Sequence, residues 1–200
     1  MANVLIIGAT GTIGRATTQL LATTTSDQLT LFSRHANRLN ATGNERVFQG
    51  DMMNDNELNE AMKGQDAVLV AANGDLGKFA ERVVAAMDRQ GVSRLIFVTA
   101  MGIYDEIPES VGANGNLMFQ PGLQTYRHAA DVIEQSDLNY TILRPGWFTG
   151  GPVNYEVTEK GEPFGGHDIS VASIADLIKR LIEDDKLYAK GSVGINTPGR

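Results

Sequence analysis

A chain of 200 residues suits one domain with a sizeable core, and 42% hydrophobic against 20% charged residues marks it as globular rather than disordered. A net charge of −7 argues against attraction to nucleic acid or to an anionic membrane surface. The chain holds no cysteine, which excludes disulfides, thiol nucleophiles and cysteine-ligated metals. The first apolar run starts within a few residues of Met1, leaving no room for a leader peptide. No apolar run approaches the roughly 20 residues that span a bilayer, so the expectation is a cytoplasmic protein.

That first run, Val4 to Ile7, stops at a glycine, and glycines recur at Gly8, Gly11 and Gly14. A helix-compatible segment, Arg15 to Ala22, follows at once. The pattern reads as a buried strand turning into a helix whose free backbone N–H groups can face a diphosphate. Gly8 lets the chain turn, Gly11 lets the backbone approach a ligand, and Gly14 lets the helix pack against the strand. Thr10, Thr12 and Ile13 complete the expected loop. The plainer alternatives are an ordinary tight turn, or a domain of this class with an empty site.

Further along, Leu29–Ser33 reads as a second strand and Arg46–Asp51 as a short third. Asn54 to Met62 reads as a helix, with Asn54 as N-cap and Glu57 three residues on, as in a capping box. Ala67–Ala72 is a continuous apolar run. Phe79 to Gln90 has helical spacing and is stopped by Gly91. Arg94–Ala100 is a fifth strand, Gln124–Ser136 a helix, and Tyr140–Leu143 a strand ending at Arg144-Pro145-Gly146. After Gly150 come a possible strand at Tyr155–Thr158, a turn at Gly161-Glu162-Pro163, a helix over Ser170–Asp184 and a last strand at Ser192–Asn196.

Apolar strands separated by helices imply a parallel sheet covered on both faces. The expected fold is α/β, a Rossmann-like doubly wound sheet in a single domain over 1–200, with 151–200 forming a small substrate-side cap. In such sheets ligands sit beyond the carboxyl ends of the strands. That edge gathers the glycine loop with Ser33, Arg34, Arg38, Asp51, Met52, Ala71, Ala72, Asn73, Thr99, Ala100, Pro145 and Gly146 as candidate cofactor contacts. At the end of the second strand an NAD site usually places an acidic residue on the ribose. Here Ser33 and Arg34 stand there, with Arg38 one turn later, and arginine forks match phosphate oxygens. NADP(H) is therefore expected in preference to NAD(H), unless the two arginines are only solvated charges. His35, His128 and His167 share no metal-ligand spacing, and no metal is expected. His167-Asp168 suggests a proton relay by adjacency alone.

The stretches Gly8-Ala9-Thr10-Gly11-Thr12-Ile13-Gly14, Ser33-Arg34-His35-Ala36-Asn37-Arg38-Leu39, Gly50-Asp51 and Tyr140-Thr141-Ile142-Leu143-Arg144-Pro145-Gly146 resemble the atypical short-chain dehydrogenase/reductases. The likeness is to their NmrA-like or NAD(P)H-binding group, which includes a flavin reductase, biliverdin reductase B. It covers essentially the whole chain. The superfamily's usual catalytic set is a Ser or Thr after the fifth strand and a Tyr-x-x-x-Lys on the next helix. Tyr126 stands where that tyrosine belongs and is the candidate catalytic residue, but Ala130 replaces the lysine, and Ala100, beside Thr99, replaces the serine. A tyrosine without that lysine is a poor base at neutral pH.

Hydride transfer to a flat acceptor needs less of the protein, chiefly stacking against the nicotinamide. Met101, Tyr104, Trp147 and Phe148 are candidates for that pocket, with Phe119 and Phe164 in possible lids. FMN or FAD is then an expected substrate, alongside quinones. The competing expectations are a non-catalytic NADP(H) sensor that binds a protein partner, and a sugar or nucleotide-sugar epimerase, which Ala100 and Ala130 disfavour.

Overall fold

The computed structural model describes residues 1–199. In chain order the elements are β1 (Asn3–Ile7), α1 (Thr12–Thr24), β2 (Gln28–Ser33), β3 (Glu45–Gln49), α2 (Asp55–Met62), β4 (Ala67–Val70), α3 (Leu76–Gln90), β5 (Arg94–Val98), α4 (Gln124–Glu134), β6 (Asn139–Pro145), β7 (Trp147–Thr149), β8 (Glu156–Glu159), β9 (Asp168–Ser170), α5 (Val171–Glu183) and β10 (Gly191–Asn196). Eight strands form one sheet in the order β3-β2-β1-β4-β5-β6-β10-β8. All of its pairings are parallel except that of β8 with β10. The chain winds outward from β1 through β2 to β3, then returns to the other side of β1 with β4. That reversal makes a switch point between β1 and β4.

The continuous apolar runs follow from burial on both faces. Successive side chains of a strand point to opposite sides. Leu5 and Ile7 join Leu58, Val83 and Ile133 in one core, while Val4 and Ile6 join Leu21, Leu177 and Ile178 in the other. The first core lies under α2, α3 and α4, the second under α1 and α5.

Local chemistry shifts several expected boundaries. α3 starts a turn early because the Asp75 carboxylate accepts from the Lys78 N–H at 3.3 Å. α2 is capped by Asn54, whose side chain accepts from Asn56 and Glu57 N–H. Glu57 does not close a capping box on Asn54. Its carboxylate reaches farther back and accepts from Asp51 N–H at 2.8 Å. β5 ends at Val98, two residues sooner than expected.

Residues 151–199 contribute more than the cap expected over 151–200. β10 pairs with β6 inside the main sheet, and the α5 stripe Ile174, Leu177, Ile178 and Leu181 is fully buried beneath it. The expected apolar stripe is continuous with the core, which a peripheral cap would not need. β7 and β9, neither foreseen, form a separate parallel pair.

Candidate functional site

The glycine loop joins β1 to α1 at the switch point. Gly8 has φ of +87°, and a Cβ there would lie 2.7 Å from the Ala71 carbonyl carbon, so only glycine fits. A Cβ on Gly14 would lie 2.9 Å from the Ala9 Cα and collide with the Gly8 carbonyl. Gly11 is different. Its φ is ordinary, and a Cβ would reach no atom closer than 3.2 Å. Gly11 is the N-cap of α1 and provides no side-chain acceptor. The first helical bond of this turn runs from Arg15 N–H to the Gly11 carbonyl. The N–H groups of Thr12, Ile13 and Gly14 have no acceptor among the described residues. Three free donors at a helix N-terminus, with glycine backbone before them, fit a diphosphate.

The flanking strand ends are tied to this loop. The Gly8 N–H donates to the Phe32 carbonyl at 3.0 Å, and the Thr10 and Ser33 hydroxyls lie 2.9 Å apart. The Ser33 hydroxyl also accepts from the His35 N–H. Arg34 and Arg38 are exposed, and neither guanidinium has a partner among the described residues. The Asp51 carboxylate accepts from Met53 N–H at 2.9 Å, a turn-capping role. Met52, expected among the cofactor contacts, is instead buried in the core with Phe32 and Leu58. Ala71 and Ala72 are half-buried beyond β4, and Asn73 is exposed.

Beyond β5 and β6, hydroxyls are committed. Thr99 donates its hydroxyl to the Leu143 carbonyl at 2.9 Å, and Ala100 beside it is half-buried. The Met101 N–H donates to the Pro145 carbonyl at 3.2 Å. The Met101 side chain is not a pocket wall, because it packs with Ile107 and Phe164 in a small separate core. Phe164, expected in a lid, is thus buried. Tyr104 is also drawn away from the expected pocket. Its hydroxyl donates to Glu134 at 2.7 Å, and Lys160, Arg127 and Arg144 stand 4.3, 5.0 and 5.3 Å from its ring centroid. Burial, seconded by Glu134, pushes its phenol above the usual range. Tyr126 is half-buried against the α3–α4 core, and Ala130 one turn on is fully buried. Trp147 and Phe148, by contrast, are exposed just past β6 at 65% and 49%, as is Phe119 before α4.

Two arrangements escaped the sequence reading, apart from the adjacency of His167 and Asp168. Arg144 is completely buried and pairs with Glu106. The Glu106 carboxylate also accepts from Gly102 N–H at 3.0 Å and Tyr104 N–H at 2.9 Å, so one acidic side chain shapes the loop between β5 and α4. The second surrounds Gly146. A Cβ there would lie 2.5 Å from the His167 carbonyl oxygen, which accepts from Trp147 N–H at 2.8 Å. The His167 ring stacks on Trp147 at 6.0 Å between centroids and 14° between planes, and its Nδ1 lies 2.6 Å from Asp168 Oδ1. His128 faces Glu81 on α3, and His35 is exposed past β2.

Known proteins share this architecture. A Rossmann-fold NAD(P)-binding family protein from Shigella flexneri superposes with a TM-score of 0.87 at 38% identity, over 100% of this chain and 95% of that one. A wide-type short-chain dehydrogenase/reductase from Veillonella parvula, solved in complex with NADP, gives 0.90 at 27% identity, over 99% and 95%. Among curated relatives, an uncharacterized sugar epimerase of Bacillus subtilis is 27% identical over 74% of this chain and 73% of its own length. An NAD(P)H azoreductase of Xenophilus azovorans is 25% identical over 87% of this chain, which spans only 60% of that protein. Among the described residues no helix is long and apolar enough to cross a membrane. The NAD(P)H-binding family matches residues 8–185, and with the free amides of α1 at its centre this chain belongs to that family of Rossmann-fold, oxidoreductase-like proteins.

Proposed function

We propose that this protein binds NADP(H) in preference to NAD(H) and reduces a flat acceptor such as a quinone or a flavin (FMN or FAD). The observation that carries the cofactor choice is the pair of exposed guanidiniums of Arg34 and Arg38 beyond β2, without partners among the described residues, where a ribose-binding carboxylate would repel a phosphate. NADP(H) supplies hydride when bound. Thr12, Ile13 and Gly14 N–H groups hold its diphosphate, and Ser33, Arg34 and Arg38 hold the 2′-phosphate. The acceptor class follows from what is missing. Tyr126 has a buried alanine where the proton-relay lysine would stand, which disfavours alcohol oxidation and epimerisation. Exposed Trp147 and Phe148 offer aromatic surface beside the carboxyl ends of β5 and β6. The azoreductase relative is in keeping with an acceptor of this kind.

A second reading is supported by the same exposure. Trp147, Phe148, Met118 and Phe119 lie open in the segments after β5 and β6, and an NADP(H)-dependent sensor would use such a surface to bind a protein partner. Calorimetric titration with NADPH and NADH, followed by NADPH oxidation in the presence of menadione or FMN, separates the readings. Arg34→Ala is expected to weaken NADPH binding by about 1–3 kcal/mol through lost charge-assisted hydrogen bonds, with NADH almost unchanged. Equal losses for both would refute the 2′-phosphate assignment, and NADPH binding without turnover would favour the sensor.

A further inference from the structure

Reduction of a quinone-like acceptor needs one proton as well as hydride, and few groups along this edge can give it. Thr99 spends its hydroxyl on the Leu143 carbonyl. Tyr104 donates to Glu134, and its phenol is held above the usual range. Tyr126 lacks its lysine, His35 lies past β2 at the opposite end of the dinucleotide path, and His128 faces Glu81 across α3 and α4.

His167 is placed differently. Its carbonyl oxygen presses on Gly146, directly after the carboxyl end of β6. β6 stands three strands from β1, so this point is about 14 Å along the sheet edge from the glycine loop. That is the half of the crevice left for the nicotinamide once the diphosphate sits on α1. The ring is half exposed, is stacked on exposed Trp147, and has Nδ1 fixed by Asp168. Nε2 has no partner among the described residues. Strand β7 brings Trp147 to the ring. From beyond β10, the Thr197 N–H donates to the Asp168 carbonyl at 2.7 Å. Asp168 is the ring's one ion-pair partner among the described residues.

We propose that His167, oriented by Asp168, is the proton donor of this site, and that the Trp147–His167 stack is the wall on which a flat, electron-poor acceptor lies. The assignment rests on the reductase reading. The acceptor gains two electrons and one hydrogen as hydride from the reduced nicotinamide, which is oxidised. As the new O–H or N–H bond forms on the acceptor, the Nε2–H bond of the imidazolium breaks, and solvent returns the proton to the ring. The carboxylate on Nδ1 keeps Nε2 turned outward throughout. The substrate class is an acceptor that is protonated on reduction, such as a quinone, a flavin or an azo compound.

Trp147 is the chain's single tryptophan, so its emission reports on His167 without any turnover. His167→Gln takes the imidazole off the indole and should therefore change that emission. With NADPH and menadione, His167→Gln should lower kcat about 10²-fold or more, with NADPH affinity and melting temperature unchanged. Asp168→Asn, which keeps the imidazole but not its anchor, should fall between the two. If the wild type turns over and both variants match it, the assignment is wrong while the reductase reading stands. If the wild type oxidises no NADPH with menadione or FMN, the reductase reading fails and takes the assignment with it.

Discussion

A Cβ on Gly14 would press on the backbone of Gly8 and Ala9, whereas one on Gly11 would meet the Gly8 carbonyl oxygen at 3.2 Å and the Ala71 carbonyl oxygen at 3.6 Å. The two glycines look alike in sequence, yet one serves packing and the other is proposed to serve the ligand. Gly14→Ala should therefore destabilise the protein by about 1–3 kcal/mol, because backbone cannot move aside as a side chain can. Gly11→Ala should melt closer to the wild type than Gly14→Ala while binding NADPH more weakly, since the methyl group is added at the N-cap of α1, next to its free amides. Thermal melts paired with NADPH titrations check both outcomes. A Gly11→Ala protein that melts as early as Gly14→Ala would show that the whole loop is structural.

The loop between β5 and α4 depends on an ion pair that spans 38 residues of sequence, Glu106 with Arg144. With Arg144 fully buried, Glu106→Gln leaves a guanidinium without its counter-charge, and an NH2 that cannot accept replaces one of the two oxygens that accept from Gly102 and Tyr104 N–H. Loss of one partner of such a pair costs about 3–5 kcal/mol. Urea denaturation should register the loss, and limited proteolysis should open the chain first between 102 and 117. Unchanged stability would mean that Ser192, which accepts from Arg144 Nε at 3.2 Å, carries the guanidinium alone. This pair also marks where the sequence stops being readable. β1, β4 and β5 announce themselves as apolar runs because helices bury both of their faces, and the glycine spacing is local. β7 and β9 are three residues each, and β7 is wholly exposed, so no periodicity could register them. The adjacency of His167 and Asp168 is visible in the chain. Their meeting with Trp147, 20 residues earlier, depends on strand pairing and is not. Likewise, Met101 and Tyr104 follow a strand end as pocket residues would, but a side core and three cations claim them.

The molecule as a whole carries a charge of −7 and is proposed to bind a polyanion, so long-range and local electrostatics oppose one another. The net charge repels NADPH at distances that salt screens, with a Debye length of about 8 Å at physiological ionic strength. In the proposed complex Arg34 and Arg38 attract the 2′-phosphate at contact, and the amides of α1 attract the diphosphate through hydrogen bonds that respond less to salt. In the wild type the contact terms at the arginines dominate, and NADPH affinity should fall as salt rises. In the Arg34→Ala/Arg38→Ala double variant the net charge becomes −9 and only the repulsion keeps a strong salt dependence, so NADPH affinity should stay level or rise with added salt. NADH, lacking the 2′-phosphate, should show the double variant's behaviour already in the wild type. Titrations followed by nicotinamide fluorescence over a series of salt concentrations measure all three slopes. A falling slope that survives in the double variant would place the attracting charge elsewhere, with Arg15, whose Nε donates to the Thr10 carbonyl at 2.8 Å beside the same loop, as the next residue to replace.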